Sequence, residues 1–421
     1  MIEPMFEAFV GMSRKWDARE AGREVAETAI KNLSEPPSFF LLFSTIHYEK
    51  HGGFQEFLNG VWDVLPKGTP LVGGTVAGFM NNYGCYTRGA TALSVSGEDI
   101  FTISDVVHNT KRSPIHAAHK IISKIKPYYN KKEGILLEFI SGPTIPELPL
   151  LGKMNLIKSR AASKFLLKFG IRATSLFGYG IAKDSIILGE IKKKFPEINI
   201  IGGATMDDGK LMRNYQFWNN SVFENSLTFL YINSKNKFEM DGALELVPTN
   251  ISFEVNKTSN GNTVLEKLDN MPAVNAFFKK INKVDYPLKS KDLLYRATMS
   301  YPIVSEDGKS STGIGAIYGT GLLLGHPMNG KKIFLLRGSG HHISDATKML
   351  KNILEEKKMV LGSMCETCVD ILGRKLYDQK TIVDGMIKDT PYLFLYFGGE
   401  HYAHKDELLV RSHSLNVLGV S

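Results

Sequence analysis

Residues 392–401 read YLFLYFGGEH, and this stretch decides the fold. Tyr392 to Phe397 is a short, unbroken apolar run rich in aromatics, the pattern of a strand buried on both faces. It stops at Gly398-Gly399, where backbone N–H groups can approach another group closely. Glu400 and His401 follow at once, so a carboxylate and an imidazole stand at a strand end. Two weaker copies lie upstream, Leu71-Val72-Gly73-Gly74 and Ile200-Ile201-Gly202-Gly203. Three Gly-Gly strand ends imply one fold built from repeated units, with sites where the strands end.

The flanking pattern supports this. Asp17 to Leu33 is a helix, with Asp17 as N-cap and an apolar stripe through Ala21, Val25 and Ala29. Phe39 to Phe43, the helix from Phe54 to Leu65, and Leu71-Val72 make a βαβ unit. Tyr83 to Ser96 and Ile100 to Val107 are expected to pair around a turn at Gly97-Glu98-Asp99. A helix opens at Pro114. The order then recurs: strand Ile135 to Phe139, helix Asp184 to Phe195 with an aspartate N-cap, strand Ile198 to Ile201, and a hairpin at Asn219-Asn220. Short helices are expected over 262–282, a loop over 285–292 and an extended stretch over 293–304. A helix over 344–356 is expected to turn Met349 inward.

The predicted class is mixed α/β (α+β). A duplicated βαβ-plus-antiparallel-strand sandwich fills an N-terminal domain, 1–248, and a second mixed α/β domain fills 249–421. One piece breaks the repeat. Residues 141–180 stand where a short loop suffices. They carry prolines, then Lys153, Lys158, Lys164 and Lys168 among apolar residues. An extra packed helix is expected there, with a lid or a membrane-surface contact through 153–171 as alternatives.

The totals narrow the function. At 421 residues, 43% hydrophobic and 22% charged, the chain is globular and not disordered. Three cysteines, an odd number, suit a reducing compartment and not a disulfide framework. The net charge of +8 comes without a basic stripe interleaved with aromatics, so a nucleic-acid partner is not expected. No apolar run approaches the ~18 residues of a membrane span. The N-terminal stretch lacks a secretory pattern, and a cytoplasmic location is expected.

Several segments together resemble the FIST proteins, which pair an N-terminal FIST domain with a FIST C-terminal domain. They are DAREAGREVAETAIKNL, FFLLFST, PLVGGTVAGF, INIIGGATMDDG with FWNNSVFENSLTFLYI, and LEKLDNMPAVNAFF. SEDGKSSTGIGAIYGTGLLLG, SMCETCVDILGRKLY and YLFLYFGGEHY complete them. The resemblance implies an intracellular sensory module for signal transduction, binding a small ligand such as an amino acid and acting on a signalling partner protein. It also implies alternatives: a haem-binding nitric-oxide sensor, or an interaction scaffold. The chain departs from the family pattern at His401, where an aliphatic residue is usual, and at Arg411-Ser412-His413-Ser414.

The candidate ligand-binding residues are Cys365, Glu366, Gly398, Gly399, Glu400, His401 and Arg411. Glu400 can take an ammonium and Arg411 a carboxylate. Cys365 and Cys368 invite a zinc or redox reading, but zinc needs a second pair of ligands that the sequence lacks, and no metal site is expected. If haem binds, His47, His119 or His401 is its axial ligand. A Cys365–His401–Glu400 group would instead make an enzyme.

Overall fold

The computed structural model describes residues 5–130, 134–148, 152–153, 156–157, 159–165, 171–281 and 301–421. The first helix, Ala18–Ile30, starts where expected, with the Asp17 carboxylate accepting from the Glu20 N–H. It lies between a strand missed in the sequence, Phe6–Ser13, and Phe39–Ser44.

From there one plan is used three times: strand, helix, strand, helix, strand, hairpin, strand. In the first unit these are Phe6–Ser13, Ala18–Ile30, Phe39–Ser44, Phe54–Trp62, Leu71–Thr75, the hairpin Gly78–Asn81 with Gly84–Tyr86, and Ala90–Gly97. In the second they are Ile100–His108, Pro114–Ile125, Gly134–Ser141, Asp184–Lys194, Asn199–Thr205, Gln216–Trp218 with Ser221–Phe223, and Ser226–Ser234. The third starts at Phe238–Leu244. It continues with Gly340–Met349, Met359–Cys365, Leu376–Ile387, Tyr392–Phe397, Glu400–His404 with Glu407–Arg411, and Ser414–Val420.

Each unit contributes four strands to a six-stranded sheet, in the order first, last, second, third. The second and third strands are parallel, as their helical crossover requires. The hairpin of each unit completes a different unit's sheet. That of the first unit pairs with Tyr392–Phe397, that of the second with Leu71–Thr75, and that of the third with Asn199–Thr205. The exchange is cyclic. The duplication expected in the N-terminal half is present, and a third copy joins it from the C-terminal half.

The inner faces of the three sheets share one core, in which Phe43, Phe139 and Phe397 meet. Helices cover each outer face. The expected joint near residue 248 lies in the third unit, and strands from either side of it pair with one another. A nine-stranded sheet, with its own core around Phe253, Leu265 and Phe277, takes eight of its strands from an insertion over 247–337 and the ninth, Leu156–Ile157, from the 141–180 segment. Val247 pairs with Arg337, so the insertion leaves and returns at one place.

Several expectations are corrected. Strands Ala90–Gly97 and Ile100–His108 do not pair; they enter different sheets. Leu265 and Leu268 lie on a strand, Val264–Leu268, and only Ala273–Lys280 is helical there. Met349 is exposed. The loop at 285–292 and most of 293–304 lie outside the described residues. In the 141–180 segment the described pieces are short strands and two short helices, Arg160–Phe165 and Ile171–Leu176. Lys158 and Lys168 lie outside the described residues. No described helix is long and apolar enough to cross a membrane.

Candidate functional site

In α/β sheets, ligands gather outside the C-terminal ends of parallel strands. Here such ends from the second and third units open into one cavity of about 120 Å³. Pro143 to Pro146 and Gly180-Ile181 form one wall, and Met206 and Leu211 a second. Ala316, Tyr318, Leu323 and Leu324 of the inserted sheet close the third side. Cys365 to Thr367, Phe397-Gly398 and Ser412-His413 supply the fourth. Most of this surface is apolar, and among the described lining residues none is Lys or Arg.

Glycine is required where the strand end meets this wall. A Cβ at Gly398 would stand 2.3 Å from Met206 Sδ, and one at Gly399 2.6 Å from His326 Nε2. The backbone joins the two units here: Ala204 N–H donates to Gly399 O, and Gly398 N–H donates to Ala204 O.

Four lining side chains are titratable: Tyr318, whose phenol burial pushes up to about 12, Glu366, His413 and Cys365. Burial pushes the Glu366 carboxyl up to about 7, with Asp370, Asp207 and Asp208 adding repulsion. His413, at φ +65° in the turn before the last strand, shares a hydrogen bond with Ser311 Oγ, 3.2 Å from its Nδ1. Burial and the neighbouring His326 hold its pKa down at about 3, so the ring is neutral. Cys365 ends its strand and caps the helix Glu366–Leu372. Behind the lining, buried Lys111 donates to Thr144 Oγ1 (2.7 Å), and burial lowers its pKa to about 7.

Glu400 and His401 point to opposite sides of their strand, as neighbours on a strand must. Glu400 is fully buried. One carboxylate oxygen accepts from Ser414 N–H (3.0 Å) and Oγ (3.2 Å). Burial, reinforced by the Cys365 thiol, pushes its pKa well up. Arg411 is its cross-strand partner, yet its guanidinium donates to Gly308 O at 3.3 Å.

His401 faces the second unit. Its Nδ1 lies 2.5 Å from Glu138 Oε1 and its Nε2 3.1 Å from Asp184 Oδ2. Burial disfavours the imidazolium, but the two carboxylates outweigh it and raise the pKa to about 10. Asp184 is also 3.6 Å from His326 Nδ1. Burial pushes Asp184 up, but the two imidazoles outweigh this and hold it well below the usual carboxylate range. Asp184 is therefore not the helix N-cap expected of it.

A family model for the FIST N domain matches residues 38–271, more than half of the chain. The chain belongs to the FIST family. That family is associated with small-ligand sensing in signalling. The match takes in the first unit from its second strand onward and the whole second unit, and reaches into the inserted sheet of this FIST protein. A solved chorismatase structure aligns over 100% of this chain and 99% of its own, with 7% identity and a TM-score of 0.34. No curated protein matches the chain.

Of the FIST chain's candidate residues, Cys365, Glu366 and Gly398 line the cavity. Gly399, Glu400 and Arg411 do not line it, and His401 is turned to Glu138 and Asp184. Both ring nitrogens of His401 face carboxylates, so no Cys365–His401 pair forms. None of the residues named for haem lines this cavity. His119 is exposed, and His47 lies in a separate open cleft with Glu49, His51 and Arg213. A cavity of about 120 Å³ is also below the ~300–1,000 Å³ of drug-sized sites. Sequence reading missed Glu138, Asp184, His326 and Glu245 as members of buried polar groups. Glu138, inside an apolar strand, was the one legible signal.

Proposed function

We propose that this FIST protein senses a small, largely apolar and uncharged metabolite held in the cavity between its second and third units. The observation that carries this reading is the lining: apolar walls with a few convergent polar groups, Glu366, His413 and Thr144. An amino acid, the ligand suggested by the resemblance, would bring a carboxylate. The described lining offers it no cation, and Arg411 is not part of that lining. Ligand contacts with the inserted sheet, the 141–180 segment and the third unit would favour a closed arrangement of these parts. A signalling partner would read that shift in population.

The test is thermal unfolding of the purified chain against small neutral apolar compounds and against zwitterionic amino acids. A neutral compound should raise Tm, and Ala316→Phe, which fills the cavity, should abolish the rise. Stabilisation by amino acids alone, or a rise unchanged in Ala316→Phe, would overturn the proposal.

A further inference from the structure

Beneath the cavity lies a second chemical group that ligand sensing does not use. Cys365 lines the cavity. Cys368, one helical turn on, is fully buried, and its Sγ donates to Glu245 Oε2 at 3.0 Å. The Cys365 thiol lies in hydrogen-bonding contact with Cys368. Glu245 is itself fully buried, and its Oε1 has no partner. A buried carboxyl with one idle oxygen, held by the Cys368 thiol and the Cys365 backbone N–H, is costly to keep. A role in moving a proton is a physical reason for it.

We infer that Cys365 and Cys368 are a reversible dithiol–disulfide couple, with Glu245 the base for Cys368, oxidised by a small organic hydroperoxide entering through the cavity. Cys365 at the N-cap and Cys368 in the first turn of the helix already stand in sulfur hydrogen-bonding contact, and a disulfide asks for Cβ atoms ~3.5–4.5 Å apart, within reach once the turn adjusts. Cys365 attacks the distal peroxide oxygen. An S–O bond forms, the O–O bond breaks, and the thiol proton leaves on the alcohol. Cys368 then attacks the sulfur of the sulfenic acid. An S–S bond forms and the S–O bond breaks. Glu245 takes the Cys368 proton and passes it to the departing hydroxide, which leaves as water. The two thiols lose two electrons and the hydroperoxide gains them. The cavity sets the oxidant: Met206, Leu323 and Phe397 admit a compact apolar body, and Cys365 is only 3% exposed.

Burial raises Glu245 to about 7, so the base is available near neutrality. The ionisable groups facing it are Cys368, Cys365, Tyr396 and Glu400. Cys85 is an internal control: also buried, it donates to Leu376 O and has no second thiol beside it.

The experiment treats the reduced full chain with tert-butyl hydroperoxide and maps thiols by differential alkylation and peptide mass spectrometry. A Cys365–Cys368 disulfide that dithiothreitol reverses, with Cys85 still free, is expected. Cys368→Ser should stop at a dimedone-reactive Cys365. Glu245→Gln should slow disulfide closure by about 100-fold, the low end of general-base catalysis. If that variant does not fold, the wild-type closure rate carries the test, and should rise through pH of about 7. Oxidation of Cys365 no faster than Cys85, overoxidation with Cys368 still free, or a flat pH profile would each overturn the inference. A chain that forms the disulfide but binds no metabolite would sink the sensing proposal alone.

Discussion

At His401 one imidazole meets two buried carboxylates, and its proton holds the second and third units together. Removing the ring would leave Glu138 and Asp184 uncompensated in the core, a change that costs about 3–5 kcal/mol where one partner of a buried ion pair is lost. His401→Gln is therefore expected to be strongly destabilised in urea unfolding, whereas Glu400→Gln, which keeps an oxygen to accept from Ser414, should be mild. The pH dependence has a definite sign. The folded pKa of about 10 lies above the ordinary 6.5, so this stabilisation is complete below about 6.5 and is lost as pH rises towards 10. Burial also raises Glu138, which acts in the same direction. Asp184, held low, loses its stabilising charge only in acid. Unfolding free energy should thus fall between pH 7 and 10 in the wild type, and fall less in His401→Gln. Equal slopes in the two proteins would remove the buried imidazolium from the account.

At the scale of elements, packing decides what composition could not. Helices Ala18–Ile30 and Phe54–Trp62 cross at glycines: a Cβ on Gly22 would stand 2.0 Å from Phe57 O, and one on Gly60 2.0 Å from Arg19 O. Gly22→Ala or Gly60→Ala should cost about 1–3 kcal/mol, as overpacking does. Gly189→Ala in helix Asp184–Lys194, with open space at that Cβ, should stabilise by about 0.5–1 kcal/mol. Thermal unfolding of the three variants checks the opposite signs. The same contrast explains what was legible in the sequence. The stripe on the first helix and the aromatic run Tyr392–Phe397 are local patterns, and both elements are where they were read. The parting of Ala90–Gly97 from Ile100–His108 is a choice of sheet, and a turn signal at Gly97 cannot encode it. Cys365, Glu366 and Gly398 were readable because they sit at a strand end. Glu245 and Asp184 were not, because their partners lie far away in the chain.

At the scale of the molecule, three Gly-Gly pairs announced a repeat, although only Gly398-Gly399 ends its strand while Gly73-Gly74 and Gly202-Gly203 lie inside theirs, and the cyclic exchange of hairpins makes that repeat indivisible. A fragment of residues 1–248 would leave Phe238–Leu244 without Ser414–Val420 and Asn199–Thr205 without Glu400–His404. It would also strip Leu361, Leu395, Phe397 and Leu418 from the common core. It should show no cooperative thermal transition alone, and regain one when mixed with residues 249–421. The inserted sheet should behave differently. It carries its own core, and Val247 and Arg337 are paired neighbours. Replacing 247–337 by a short Gly-Ser linker should leave the three-sheet core cooperatively folded, because none of the three six-stranded sheets uses a strand from the insert. The replacement removes Ala316, Tyr318, Leu323 and Leu324 from the cavity, so stabilisation by any neutral ligand should disappear with it. It also takes His326 from Asp184 while leaving His401 in place, so Asp184 keeps one imidazole partner and the core should survive the loss. Collapse of that variant would mean that the insert is part of the folding unit and that the symmetric core does not stand alone.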